Sequence, residues 1–96
     1  MTKGIYKFHL DCGRMGDLEG VFIADPIHVE QALASDEEIY YGECLGKHSE
    51  ISEKLTPDQI KLVTLDIEFI EKFEQLELYS GFDPIALFLE QEEERA

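Results

Sequence analysis

Apolar and polar positions alternate from Gly4 to Leu10, with Tyr6, Phe8 and Leu10 on one side and Lys7 and His9 on the other. A period of two marks a strand with one buried face, so the pattern predicts a strand over residues 4–10. The next stretch, 11–20, holds Gly13, Gly16 and Gly20, and such clustering predicts a loop. The apolar run Gly20–Ala24 predicts a second strand. Together the two make a hairpin with a long tip.

The period then changes. Asp25-Pro26 has the form of a helix start, because Asp caps free amides and Pro at the first helical position has none to leave unpaired. Val29, Ala32 and Leu33 follow at helical spacing, and Ser35-Asp36 ends the element. Glu38–Leu45 and His48–Leu55 predict two strands around Gly46-Lys47. Ile39, Tyr41 and Leu45 share a face of the first, Ile51 and Leu55 a face of the second. Thr56-Pro57-Asp58-Gln59 has the spacing of a capping box and competes to start a helix there. The β-prone run Ile60–Thr64, followed by Asp66 as a second cap, favours a strand over 60–64 instead. A helix is then expected from 66 to 78, with Ile70, Phe73 and Leu76 inward, and Ser80-Gly81 stops it.

Asp83-Pro84 starts the last helix, with Phe82 placed to staple onto Leu87 and with Ile85, Phe88 and Leu89 inward. Glu90–Glu94 carries four acids in five residues. Acids at a helix C-terminus oppose its dipole, which predicts a frayed end over residues 92–96. The order β-β-α-β-β-β-α-α predicts an α+β fold. Its expected form is a single domain over 1–96, a small antiparallel sheet of four to five strands with about three helices packed on one face.

Charge narrows the class. Eight Lys and Arg stand against 22 Asp and Glu, a net of −14 over 96 residues. Residues 1–35 carry −2 of this and residues 36–96 carry −12. Such a field argues against direct binding to nucleic acid or an anionic membrane, both of which need a positive face. It suits a partner protein with a basic surface. No apolar run approaches the roughly 20 residues of a bilayer span, and the start lacks the basic stretch and apolar core of an export signal. The expected location is therefore cytoplasmic. Six Phe and four Tyr, with 44% hydrophobic residues, point to a folded core rather than disorder. So small a chain builds a closed active site with difficulty. The expectation is a non-enzymatic protein with no cofactor.

Four constellations remain as candidate chemistry. Gly13, Arg14 and Gly16 sit in the first loop, where glycine-rich turns can aim successive amides at an anion. Lys47 and His48 sit at the second turn. Were the two loops to converge, they would suit a small phosphorylated or carboxylate ligand, although an ordinary hairpin tip accounts for each loop alone. His9, Cys12, Cys44 and His48 supply the four ligands of a tetrahedral zinc site, without the paired spacing that marks one strongly. Buried, reduced cysteines explain the same residues. Glu68, Glu71, Glu74 and Glu77 recur at three-residue spacing and mark an acidic helix face, either merely solvated or a partner surface.

The segments Phe8-His9-Leu10-Asp11-Cys12-Gly13-Arg14-Met15-Gly16 and Gly42-Glu43-Cys44-Leu45-Gly46-Lys47-His48-Ser49-Glu50 resemble small accessory proteins of tailed bacteriophages, a likeness covering most of residues 5–51. The resemblance implies a setting, the host bacterial cytoplasm, where such proteins bind and inhibit host or defence proteins. It also implies two styles of action: an acidic surface that mimics DNA, or sequestration of a nucleotide signal. The first would use Glu68, Glu71, Glu74 and Glu77. The second would use the Arg14 and Lys47-His48 loops. Neither partner nor oligomeric state follows from the sequence.

Overall fold

Strands β1 (Gly4–Asp11) and β2 (Asp17–Ala24) pair antiparallel over their whole length in the computed structural model, which describes residues 2–42 and 50–95. The alternation in β1 holds, with Tyr6, Phe8 and Leu10 buried and Lys7 and His9 exposed. The second strand starts at Asp17 rather than Gly20, so the tip is short. Leu18 and Phe22 are both buried in phase with Gly20, which extends the inward period two residues before the apolar run that signalled the strand.

Helix α1 (Pro26–Ala34) follows, then a separate two-stranded sheet of β3 (Glu38–Gly42) and β4 (Ile51–Lys54). Residues 43–49, where the sequence suggested longer strand ends, lie outside the described residues. Strand β5 (Ile60–Thr64) pairs with the free side of β1. The alternative helix start at Thr56 is a turn instead. Gln59 Oε1 accepts the Thr56 amide at 3.2 Å, and the Gln59 amide donates to Thr56 O at 3.0 Å. Half of a capping box forms, but the chain leaves it extended. Helix α2 (Ile67–Gln75), strand β6 (Ser80–Gly81) and helix α3 (Pro84–Arg95) complete an α+β fold of three helices and two antiparallel sheets.

The larger sheet runs β5-β1-β2-β6. Ser80-Gly81, expected only to end a helix, forms its outer strand by pairing with Gly20 and Val21. The approach needs two glycines. A Cβ on Gly20 would lie 1.9 Å from Phe82 O, and one on Gly81, at φ 68°, would lie 2.0 Å from Glu19 O.

Each helix starts as its sequence requires. Asp25 accepts the Ile27 amide at 3.0 Å and Asp66 that of Glu68 at 3.1 Å. Asp83 accepts both the Ile85 and Ala86 amides, at 3.1 and 3.0 Å. Burial pushes the Asp83 carboxyl above the usual carboxylate value, and these two hydrogen bonds partly pull it back.

The helices do not share one face of the sheet. Tyr6, Phe8, Leu10, Leu18 and Phe22 pack with Val29 and Ala32 of α1, Ile85 and Phe88 of α3, and Ile39, Tyr41, Ile51 and Leu55 of the small sheet. Ile5, between the positions of that row, points the opposite way and packs with Ile70 and Phe73 of α2, beside Val21 and Ile23. The sheet therefore carries a second apolar patch at one end of β1 and β2, and α2 covers it. Leu76, expected inward, is the C-cap of α2 and is exposed.

Two side chains tie the layers together. Lys54 Nζ donates to Leu33 O at 3.1 Å, supplying a cation to the last turn of α1. Gln91 of α3 donates to Glu38 O at 3.0 Å and accepts the Tyr40 amide at 2.8 Å, so its side-chain amide stands in for a neighbouring strand along β3. Among the described residues no helix is long and apolar enough to cross a membrane.

Candidate functional site

The first loop closes on itself. Gly13, at φ 66°, and Gly16, at φ 113°, let the chain reverse between Asp11 and Asp17 through a 3-10 turn at Gly13–Met15. The Gly13 amide donates to Asp11 Oδ1 at 2.8 Å, the Cys12 amide to Gly16 O at 2.9 Å, and the Gly16 amide to Gly13 O at 3.2 Å. The tip's own carboxylate thus takes an amide that a nest would aim at a ligand. Arg14 is exposed at this tip.

Lys47 and His48, the cations of the second loop, lie outside the described residues, as does Cys44. Tyr41 stacks on Phe8 at 5.6 Å and meets Phe82 edge-on at 6.0 Å. Its hydroxyl is buried with no hydrogen-bond partner among the described residues. Burial holds that hydroxyl well above the usual phenol value, with further upward pushes from Glu53 and Cys12.

The zinc set is divided by the sheet. Cys12 packs against the main core, whereas His9 projects from the other face. His9 Nε2–H donates to Asp17 Oδ2 at 2.8 Å, and this bond holds the imidazole above its usual pKa. Among the described residues no three His, Cys, Asp or Glu side chains come together to hold a metal ion.

The acidic helix face is present in altered form. Glu68, Glu71 and Glu74 lie on α2, and each step of three residues turns by about −60°, so they spread around one flank rather than lining a stripe. Glu74 pairs with Lys3 at 3.2 Å. Glu77 has left the helix and stands at φ 50° just beyond the cap. The opposite flank holds what the sequence did not suggest: Phe69 and Leu76, seven residues apart, are 53% and 64% exposed. Tyr79, edge-on to Phe73 at 5.0 Å, is half exposed. Since α2 and α3 lie on opposite faces of the sheet, the acids of these two helices form two separate surfaces.

One further arrangement depends on strand register and escaped the sequence. Lys61, Lys7, Val21 and Ser80 form a single row across all four strands of the larger sheet. The row runs across a concavity of about 680 Å³ that Gly81, Glu19 and Asp58 also line. Lys7 and Lys61 are separated by most of the chain, so no local spacing signals that they meet.

No family model, no curated protein and no solved structure matches this chain.

Proposed function

We propose that the protein is a non-enzymatic binding protein whose α2 surface engages a basic, amphipathic site on another protein. The observation that carries this reading is the two-sided exposure of α2. An acidic flank of Glu68, Glu71 and Glu74 stands opposite an apolar flank of Phe69 and Leu76 that the fold leaves in solvent. Large apolar groups grouped at a surface mark interaction sites, and the neighbouring carboxylates select a cationic partner and speed its approach. The resemblance to phage accessory proteins supplies a setting: inhibition of a host or defence protein in the bacterial cytoplasm, with an acidic surface in place of DNA. The alternative, capture of a small anion by the Arg14 and Lys47-His48 loops, draws less support because the amides of the first tip serve the tip itself.

The test uses a fluorescent amphipathic peptide of Lys and Leu as the probe partner. Binding should weaken steeply with salt, since exposed charges are screened within about 8 Å at physiological ionic strength. Glu71→Lys with Glu74→Lys should slow association about tenfold or more, and Phe69→Ser with Leu76→Ser should speed dissociation. Arg14→Ala should leave both rates unchanged. Binding insensitive to salt and to both α2 pairs would reject the reading.

A further inference from the structure

The larger sheet is not fully covered on the face that α2 shares. The helix covers Ile5 at one end with Val21 and Ile23 only partly buried beside it, and the row Lys61–Lys7–Val21–Ser80 crosses the sheet at the open edge of that patch. Cross-strand neighbours in a row project to the same side, and like charges directly opposite destabilise a sheet. Lys7 and Lys61 are such a pair. The chain has eight basic residues against 22 acidic ones, so a cation has many acidic neighbours to pair with. Lys3 takes Glu74, and Lys54 takes the Leu33 carbonyl of α1. Among the described residues Lys7 and Lys61 form no ion pair, although Glu19 and Asp58 line the same concavity.

We infer that this concavity is a binding site for a small phosphate monoester, with the phosphate bridging the Lys7 and Lys61 ammonium groups and its organic body lying over Val21 toward Ser80. A dianion between the two lysines turns their repulsion into two charge-assisted contacts. The volume, about 680 Å³, lies within the range of small-molecule sites. The apolar Val21 and the Ser80 hydroxyl at the far end of the row suit a body that is part apolar, part polar. The net charge of −14 repels a polyanion such as nucleic acid far more than it repels a single dianion. This site is separate from the Arg14 tip and from the acidic flank of α2, so its fate and that of the α2 reading are decided independently.

The experiment is an amide-shift titration of the isotope-labelled protein with phenyl phosphate, and in parallel with inorganic phosphate. Phenyl phosphate should produce saturable shifts at Lys7, Val21, Lys61 and Ser80, with half-saturation on the order of 1 mM or below. Inorganic phosphate, lacking the body, should bind more weakly at the same residues. Lys7→Ala and Lys61→Ala should each weaken binding about tenfold or more, the loss expected for one charge-assisted contact. Both lysines are exposed, so the spectra of these variants should otherwise match the parent. Lys72→Ala, which removes a cation on α2, should leave the affinity unchanged. Absence of saturation, a smaller loss in either lysine variant, or an equal loss in Lys72→Ala would each overturn the site.

Discussion

Glu77 occupies a backbone conformation that an L-residue adopts at a cost. Its φ of 50° closes α2: the Leu78 amide reaches Phe73 O at 3.2 Å and the Glu77 amide reaches Glu74 O at 3.3 Å. This is the C-terminal motif in which Gly normally holds the left-handed position. The carboxylate at that end also opposes the helix dipole. Glu77→Gly should therefore stabilise the protein by about 0.5–1 kcal/mol, the left-handed penalty less the greater freedom of Gly in the unfolded chain. Glu77→Ala, which removes the charge but keeps the strain, should gain less. Denaturant midpoints of the two variants against the parent decide the matter. Equal or lower stability for the Gly variant would show that the turn bears no strain.

At the scale of elements, Gln91 joins α3 to β3 by one donated and one accepted hydrogen bond. Gln91→Ala should lower stability by about 1–2 kcal/mol, since each such bond contributes about 0.5–1.5 kcal/mol net. Gln91→Glu should recover only part of this, because it still accepts from Tyr40 but no longer donates to Glu38 O. Urea unfolding of both variants measures the difference. The elements themselves were largely legible in the sequence, for local reasons. Alternation marked β1, and Asp25-Pro26, Asp66 and Asp83-Pro84 marked the three helix starts through hydrogen bonds that span two or three residues. What was hidden is non-local. The spacing of Ile70 and Phe73 shows that α2 has a buried side, yet it says nothing of which sheet face receives it. Ser80-Gly81 is too short to show a period and becomes a strand only because Gly20 admits it. The candidate site divides in the same way. The acids of α2 were visible as a spacing, whereas the exposed Leu76 looked like ordinary core, Phe69 carried no signal of its own, and the Lys7–Lys61 pairing needed the register of β1 against β5.

For the molecule as a whole, acidity is the informative variable. His9, whose charged form is favoured by its bond to Asp17, has a folded pKa above its unfolded value near 6.5. Its contribution is complete below that unfolded value and disappears as pH rises through the folded one. Asp83, raised by burial, acts in the same direction: the folded state binds its proton more readily, so acid favours the fold. Relief of repulsion among the surplus carboxylates adds to both. Asp58 is opposed, because the Thr56 hydroxyl lowers its pKa from 3.8. Its contribution is present above that value and lost only as pH falls through the still lower folded one. The melting temperature should consequently rise as pH falls from about 8 to about 5 and turn downward only in stronger acid. Calorimetry across this range provides the check; a monotonic fall from pH 8 to 5 would contradict it.

The contact of Gly20 with Gly81 has a meaning for cooperativity. Between α2 and α3 the chain passes from one side of the larger sheet to the other, and it does so around the β2 edge at this glycine pair. The small core of Ile5, Ile70 and Phe73 is thereby buckled to the large one by a strap too tight for a single methyl group. While the buckle holds, the two sides should open as one unit, and the slowest amides of α2 and of β1 should exchange at the same free energy. Gly20→Ala should undo it. The lesser core would then open on its own at a lower free energy, and hydrogen exchange would resolve two openings where the parent shows one. In that sense two glycines, which bury no side chain at all, determine whether the molecule is one folding unit or two.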